Sequence, residues 1–254
     1  MPVILIEKQT PQITVVTLNR PERRNALSIE LLTELSAAIR VASDETRERI
    51  LILRGAGAAF CTGLDLKEAQ NQTNAHATAD MVARTLVALS QTRLVTIAVV
   101  HGAAVAGGAG IMSACDYVIA AEGTKIGYPE TRRGLVAGLV MTFLRRQLRE
   151  RDIRELLLGA ELLDARRALE MGLVNRVVPK DDLMKEAMAF AGSVLQGAPN
   201  AVAHTKRLIE ELWSSSVQKD VDLALKHHMQ ARESAEAKEG IAAFNEKRPP
   251  NWAQ

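Results

Sequence analysis

Apolar residues recur along this chain in two rhythms. Short, nearly continuous aliphatic and β-branched runs occupy residues 3–7, 13–18, 50–54 and 95–100 (VILIE, ITVVTL, ILILR, VTIAVV). Runs of that length, bounded by turn-forming residues, predict buried strands. Between them, residues 28–42 and a stretch within 79–91 place apolar side chains three and four apart, the spacing of one helix face. Ser28, ahead of Ile-Glu-Leu-Leu, offers an N-cap hydroxyl followed by a first-turn acid, so a helix is expected to start there. Leu31 stands where a full capping box has Glu or Gln. Alternating strands and helices predict an α/β fold, and their loose recurrence suggests stacked, spiral-like turns.

The pattern changes near residue 198. Fifteen of the 16 glycines precede residue 200, eleven of them between Gly55 and Gly138. Residues 201–254 keep only Gly240 and carry eight basic and eight acidic side chains, among which Val202, Leu208, Leu212, Val221, Leu223 and Leu225 are spaced. That tail reads as helix, punctuated by Gly240 and by Pro249-Pro250. The expected organisation is a core over residues 1–197 and a helical region over 198–254.

Composition narrows the possible functions. With 254 residues, 47% apolar and 24% charged, the chain can bury a core. A net charge of +2 gives no bulk field toward nucleic acid or an anionic membrane, so an anionic ligand must be held locally. Eight aromatic residues leave few platforms for stacking single-stranded bases. Cys61 and Cys115 form no CxxC and no Cys/His ligand pattern, so neither a disulfide framework nor a metal site is expected. The N-terminal MPVILIEKQT lacks the features of a secretory signal, and no apolar run of about 18 residues occurs, so a soluble, cytoplasmic protein is expected.

Three stretches could carry chemistry. Residues 51–67 (LILRGAGAAFCTGLDLK) run from a buried strand into a glycine-bearing loop that lets a ligand approach the backbone, or that merely turns the chain. Gly55-x-Gly57-x-x-Phe60 lacks the third glycine of a dinucleotide fingerprint, and there is no GxxxxGK[ST]. Residues 96–116 lead from a strand through His101-Gly102 into Gly107-Gly-Ala-Gly110, a small-residue helix start. Its free N–H groups and dipole suit a carbonyl oxygen gaining negative charge, while close helix packing is the plainer explanation. His101 reads as a satisfied interior histidine. In residues 126–134 (IGYPETRRG), Glu130 follows a proline and precedes the apolar stretch 135–144. Burial there raises a carboxyl pKa toward neutrality, which suits a group that takes and returns a proton. The same position also fits a first-turn acid that only complements a helix dipole.

In this order, these stretches together with LNRPERRNAL (18–27) and FNEKRPP (244–250) resemble the enoyl-CoA hydratase/isomerase (crotonase) superfamily over nearly the whole chain. The resemblance implies a spiral core of ββα turns with a helical C-terminal region that builds trimers, often paired into hexamers. It also implies a thioester oxyanion hole made by the backbone N–H groups of Leu64 and Gly107, with Glu130 as acid/base. Coenzyme A enters as part of an acyl-CoA substrate, with no separate cofactor and no metal. By position its anionic handle meets Arg23, Arg24 and Lys67, with Lys247 added from a neighbouring chain. Ala26 and Leu66 contact the adenine and the pantetheine arm.

One departure decides the expected reaction. Hydratases of this superfamily carry a second glutamate in the helix after the glycine pair, where this chain has Gly110. A single carboxylate in the retained position is what the resemblance associates with double-bond isomerases, so isomerisation is expected. Hydration with another water-activating group is one alternative, and a non-catalytic acyl-CoA-binding or scaffold homologue is another. The arginine-rich helix expected over 145–154 raises RNA binding, but Glu150, Asp152 and Glu155 interleave with its arginines and no aromatic accompanies them, which favours a salt-bridged, solvated face.

Overall fold

The computed structural model describes residues 1–65, 68, 72–213 and 215–253, and of residues 72–75 and 253 the backbone alone. Two strands open the chain as a hairpin, β1 (Ile4–Thr10) antiparallel to β2 (Ile13–Leu18). β2 then pairs in parallel with β3 (Ile50–Gly55), β3 with β4 (Val95–Val100), β4 with β6 (Tyr117–Ala121) and β6 with β9 (Arg176–Val178). The short strands β5 (Ala103–Val105), β7 (Lys125–Gly127) and β8 (Leu163–Asp164) make a second sheet.

The continuous apolar runs are explained by burial on both faces of the larger sheet. Val16, Leu18, Leu51, Leu53, Ala98 and Val100 pack toward α1 (Ile29–Asp44), α2 (Gln72–Gln91) and α3 (Gly107–Ser113). The alternate residues Ile13, Val15, Ile50, Ile52, Ile97 and Val99 pack against α7 (Leu183–Leu195) through Leu183, Ala187 and Ala191. Leu53 is fully buried, and Leu53→Ala is expected to cost about 2–5 kcal/mol. Ser28 caps α1 as expected, its Oγ accepting from the Leu31 N–H at 3.1 Å.

A repeating turn emerges. A strand of the large sheet is followed by a small-sheet position and then a helix: β3, Cys61 and α2; β4, β5 and α3; β6, β7 and α4 (Gly138–Gln147). Parallel bridges Leu27–Leu64 and Cys61–Ala104 and the β5–β7 pairing stack these turns on one another. This is the expected α/β spiral.

After α5 (Glu150–Gly159), α6 (Ala165–Met171) and α7, the chain is helical to its end in α8 (Pro199–Glu211), α9 (Val217–Arg232) and α10 (Ala235–Glu246). α9 packs on α4 and α2, and α10 packs on the 129–133 turn. Two local expectations are corrected. Gly240 does not end a helix; it lies inside α10, where a Cβ would come within 2.5 Å of the Arg133 backbone, so glycine allows the close approach. The arginine-rich stretch is two helices rather than one, broken at Leu148-Arg149. Its charges are largely paired: Arg146 with Glu210 at 2.6 Å, Arg149 with Asp152 at 2.7 Å and Arg154 with Glu150 at 2.8 Å. No helix among the described residues is long and apolar enough to cross a membrane.

Candidate active site

The two glycine-bearing segments meet because their backbones are laced together. Cys61 N–H donates to Ala103 O at 3.1 Å, and Val105 N–H donates to Cys61 O at 3.0 Å. Gly63 sits at φ +90°, and a Cβ there would lie 3.0 Å from Ala106 Cβ and 3.5 Å from Gly107 N, so only glycine lets the loop lie this close to the start of α3. Gly108 is held closer still, with a Cβ falling 2.3 Å from Cys61 O. Leu64 is flanked by bonds that leave its own N–H aside, since Leu27 N–H donates to Gly63 O and Asp65 N–H to Leu27 O. Among the described residues no backbone acceptor is taken by the N–H of Leu64 or of Gly107. Both residues line a cavity of about 520 Å³.

Ala106, just before α3, has φ +51°, an uncommon conformation for a residue with a Cβ. It aims the first turn of α3 at the cavity, where the dipole and the unpaired N–H groups favour an anionic oxygen.

Glu130 enters the same cavity from a 3-10 turn, Pro129–Arg133, whose first position is the proline. The preceding Tyr128 is buried and anchored, with its hydroxyl 2.7 Å from Ser113 Oγ. Glu130 is 9% exposed, and its Oε2 has no hydrogen-bond partner among the described residues. Burial raises its pKa from 4.5 to about 7, opposed by its own backbone N–H and by the Arg133 charge. A carboxyl group of this kind takes and gives protons with little driving force lost either way.

The neighbourhood of Gly110 explains the missing carboxylate in steric terms. A Cβ on Gly110 would lie 2.5 Å from Val140 Cγ1, and Leu86 Cδ2 is 3.9 Å away. Val140 of α4 fills the space and itself faces the cavity.

Arg23, Arg24 and Ala26 line the cavity, as expected. Their loop is held by Asn25, which is fully buried: its Nδ2 donates to Ala56 O and Ala59 O at 2.9 and 2.8 Å, and its Oδ1 accepts from the Arg20 N–H at 2.8 Å. Arg20 also pairs with Asp65 at 3.0 Å. Leu66 and Lys67 lie outside the described residues. Lys247 is exposed at the end of α10 and does not line the cavity within one chain. His101 is satisfied, its Nε2 lying 2.9 Å from Gly57 O. Both cysteines are free and buried, their thiol pKa values pushed up to about 12 by desolvation.

The enoyl-CoA hydratase/isomerase family model matches residues 8–254. The chain belongs to this family. It is 37% identical to a Thermus thermophilus protein provisionally named an enoyl-CoA hydratase, over 98% of this chain and all of that one. The crotonyl-CoA hydratase of Syntrophomonas wolfei is 33% identical over 98% of this chain and 97% of its own length. A crystal structure of an enoyl-CoA hydratase from Mycobacterium avium superposes with a TM-score of 0.87 at 30% identity, covering 99% of each chain. The chain is thus an enoyl-CoA hydratase/isomerase family enzyme with the crotonase fold.

The sequence did not single out part of the wall that this family member presents to the cavity. Arg133, His228, Phe244 and Asn245 all line it. Arg133 stacks its guanidinium 4.5 Å over the Phe244 ring, and His228 of α9 points Nδ1 at Val136 O, 3.2 Å away. Phe244 and Asn245 open the FNEKRPP motif and Arg133 lies in the 126–134 stretch, but for His228 nothing in the helical spacing separates a cavity residue from a packing residue.

Proposed function

We propose that this protein isomerises an enoyl-CoA, moving a β,γ double bond into α,β conjugation with the thioester. The observation that carries the reading is Glu130: a buried carboxyl that lines the cavity with a pKa near 7, with the second carboxylate position held by Gly110 and closed by Val140. The thioester oxygen sits between the N–H groups of Leu64 and Gly107. Glu130 removes a proton from the α-carbon, the electron pair delocalises onto that oxygen and across the diene, and the two donors stabilise the dienolate. Glu130 then returns the proton two carbons away, so one residue closes the cycle without an activated water.

The anionic handle of coenzyme A extends past Arg23 and Arg24. The chain works as a trimer or a pair of trimers, with Lys247 reaching a neighbour's ligand. Leu208, Ile209, Leu212 and Trp213 of the α8 region, and Leu223 and Phe244 farther on, are large apolar residues exposed in the single chain, which supports an interface there. Light scattering with a stable monomer at micromolar concentration contradicts that assembly.

Hydration is the second reading, and the hydratase names of the relatives favour it. The two separate in one pair of assays on the wild type. Isomerisation of 3-hexenoyl-CoA is expected to exceed hydration of crotonyl-CoA. Fast hydration without isomerisation overturns the proposal and requires a water-activating group other than a second glutamate.

A further inference from the structure

The turn that carries Glu130 and the helix that begins at Gly107 leave the small sheet side by side. β5 and β7 pair in parallel, and directly after them Ala106 N–H donates to Gly127 O at 2.8 Å. From that bond one segment enters α3 through Gly107, and the other runs through Tyr128 and Pro129 to Glu130. A bond at the root alone leaves the two segments free to swing apart. A second tie farther out fixes their angle.

Tyr128 makes that second tie. Its ring is fully buried, and its hydroxyl lies 2.7 Å from Ser113 Oγ and donates to Ala109 O at 3.4 Å. Both partners belong to α3, Ala109 two residues beyond Gly107 and Ser113 at the end of the helix. Ser113 is itself held from α4, its carbonyl accepting from Gln147 Nε2 at 2.7 Å. Among the described residues, no other side-chain hydrogen bond joins residues 126–134 to α3; Thr131 and Arg132 donate instead to Leu157 O and Gly159 O of α5. On the Glu130 side the lever is short and stiff, because only Pro129, its φ fixed by the ring, stands between.

Packing alone does not account for a tyrosine here. A phenylalanine fills the same space, and burying a phenol is costly unless its O–H is paired, so the hydroxyl points to a use for its bonds. That use is not proton transfer. Tyr128 does not line the cavity, and burial, foremost, pushes its pKa far above the ordinary tyrosine range, against the Ser113 bond and with a contribution from the Glu130 charge, so the phenol stays protonated.

We infer that Tyr128 is a positioning residue: its hydroxyl, bound to Ser113 and Ala109, sets the distance and angle between the Glu130 carboxyl and the donor N–H of Gly107. The inference rests on the acyl-CoA reading above and deepens it by naming what holds its two halves in register. In that reading the proton leaves the α-carbon while charge collects on the thioester oxygen, so base and donor act on one substrate at the same moment. A small swing of one against the other then costs rate without costing ground-state affinity.

Steady-state kinetics with 3-hexenoyl-CoA on the full-length wild type, Tyr128→Phe, Ser113→Ala and the double variant test it. Rates are counted per site that binds hexanoyl-CoA, so that misfolded protein does not enter. Tyr128→Phe, which keeps the ring, is expected to lower kcat about tenfold with KM changed less than about twofold. The limb of its pH profile near 7 should stay in place on a lower plateau, since Glu130 is still the base. Ser113→Ala cuts the tie from the α3 side and should lose part of the same rate, and the double variant should be no slower than Tyr128→Phe, because one contact is lost only once. A hydroxyl that serves the fold alone lowers the melting midpoint and leaves kcat per site unchanged. A Tyr128→Phe kcat within about twofold of wild type, or losses that multiply in the double variant, therefore overturns the inference. If the wild type hydrates crotonyl-CoA instead, the isomerase reading fails and the same ratios are read on hydration, which also needs the carboxyl and the oxyanion donors in register. A wild type that turns over neither thioester fails the catalytic reading and this inference with it, a result distinct from active variants with unchanged kcat.

Discussion

The cavity has two walls built in different ways. On one, residues 60–64 and 105–110 bring backbone to the cavity, and Gly63 and Gly108 are needed because a neighbouring segment lies where a Cβ would go. On the other, the 129–133 turn, α9 and α10 bring side chains: Glu130, Arg133, His228, Phe244 and Asn245. The first wall can support the chemistry shared by a family of thioester enzymes, because an oxyanion hole asks only for fixed N–H groups. On the proposed mechanism, the second wall is where the proton is moved. Changes to the first should therefore damage folding and every substrate alike, and changes to the second should alter rate, pH dependence or selectivity in a folded protein.

The largest effect is expected on the backbone wall. Gly108→Ala puts a Cβ 2.3 Å from Cys61 O, a contact with backbone that no rotamer relieves, and should cost about 3 kcal/mol or more. Urea unfolding checks this; a variant as stable as the wild type refutes the close approach of the two segments.

On the side-chain wall, Glu130→Gln should lower isomerase kcat by about 100-fold or more while the protein stays folded. It should also reveal the cost of burying the carboxylate. The folded state keeps the proton up to about pH 7 and the unfolded chain releases it near 4.5, so native Glu130 loses stability to the fold as pH rises between those values. The variant, which has no charge to bury, should be more stable than wild type at pH 8 by up to about 3 kcal/mol and should show no such advantage at pH 4. Denaturant melts at the two pH values measure the difference.

Between the walls stands Gly110. Gly110→Glu should lose about 1–3 kcal/mol by driving its side chain into Val140, and the double change with Val140→Ala should recover part of that loss. Urea melts of the single and double variants give the coupling; additive losses argue against contact between the two positions. The smallest effect is at the mouth. Arg24→Glu should raise KM for acyl-CoA by about three- to tenfold, less at high salt, with kcat nearly unchanged. An unchanged KM at low salt removes Arg24 from the coenzyme A path.

The same contrast explains what the sequence could reveal. Strands buried on both faces read directly from runs such as ILIL, and the cap at Ser28 from one hydroxyl before an apolar face. Residues of the backbone wall were legible because a close approach needs glycine, and glycines are visible as letters. Glu130 was legible because a lone carboxyl after proline and before ten largely apolar residues is anomalous. His228 was not, since a histidine at a helical position has the same spacing whether it meets a neighbour or a cavity, and its place in the wall depends on α9 folding back over α4. Gly240 misled for a related reason: glycine marks helix ends and close contacts alike, and only the Arg133 backbone beside it tells the two apart.

The most direct measurement of the claim that one buried carboxyl moves the proton is the pH profile of isomerase kcat/KM for 3-hexenoyl-CoA, taken from pH 5 to 9 on wild type and Glu130→Gln. With Glu130 as the base, activity must rise with pH through an apparent pKa near 7, and that limb must vanish with the small residual rate of the variant. A flat wild-type profile, a limb near 4.5, or a limb near 7 that survives in Glu130→Gln contradicts the single-carboxylate mechanism.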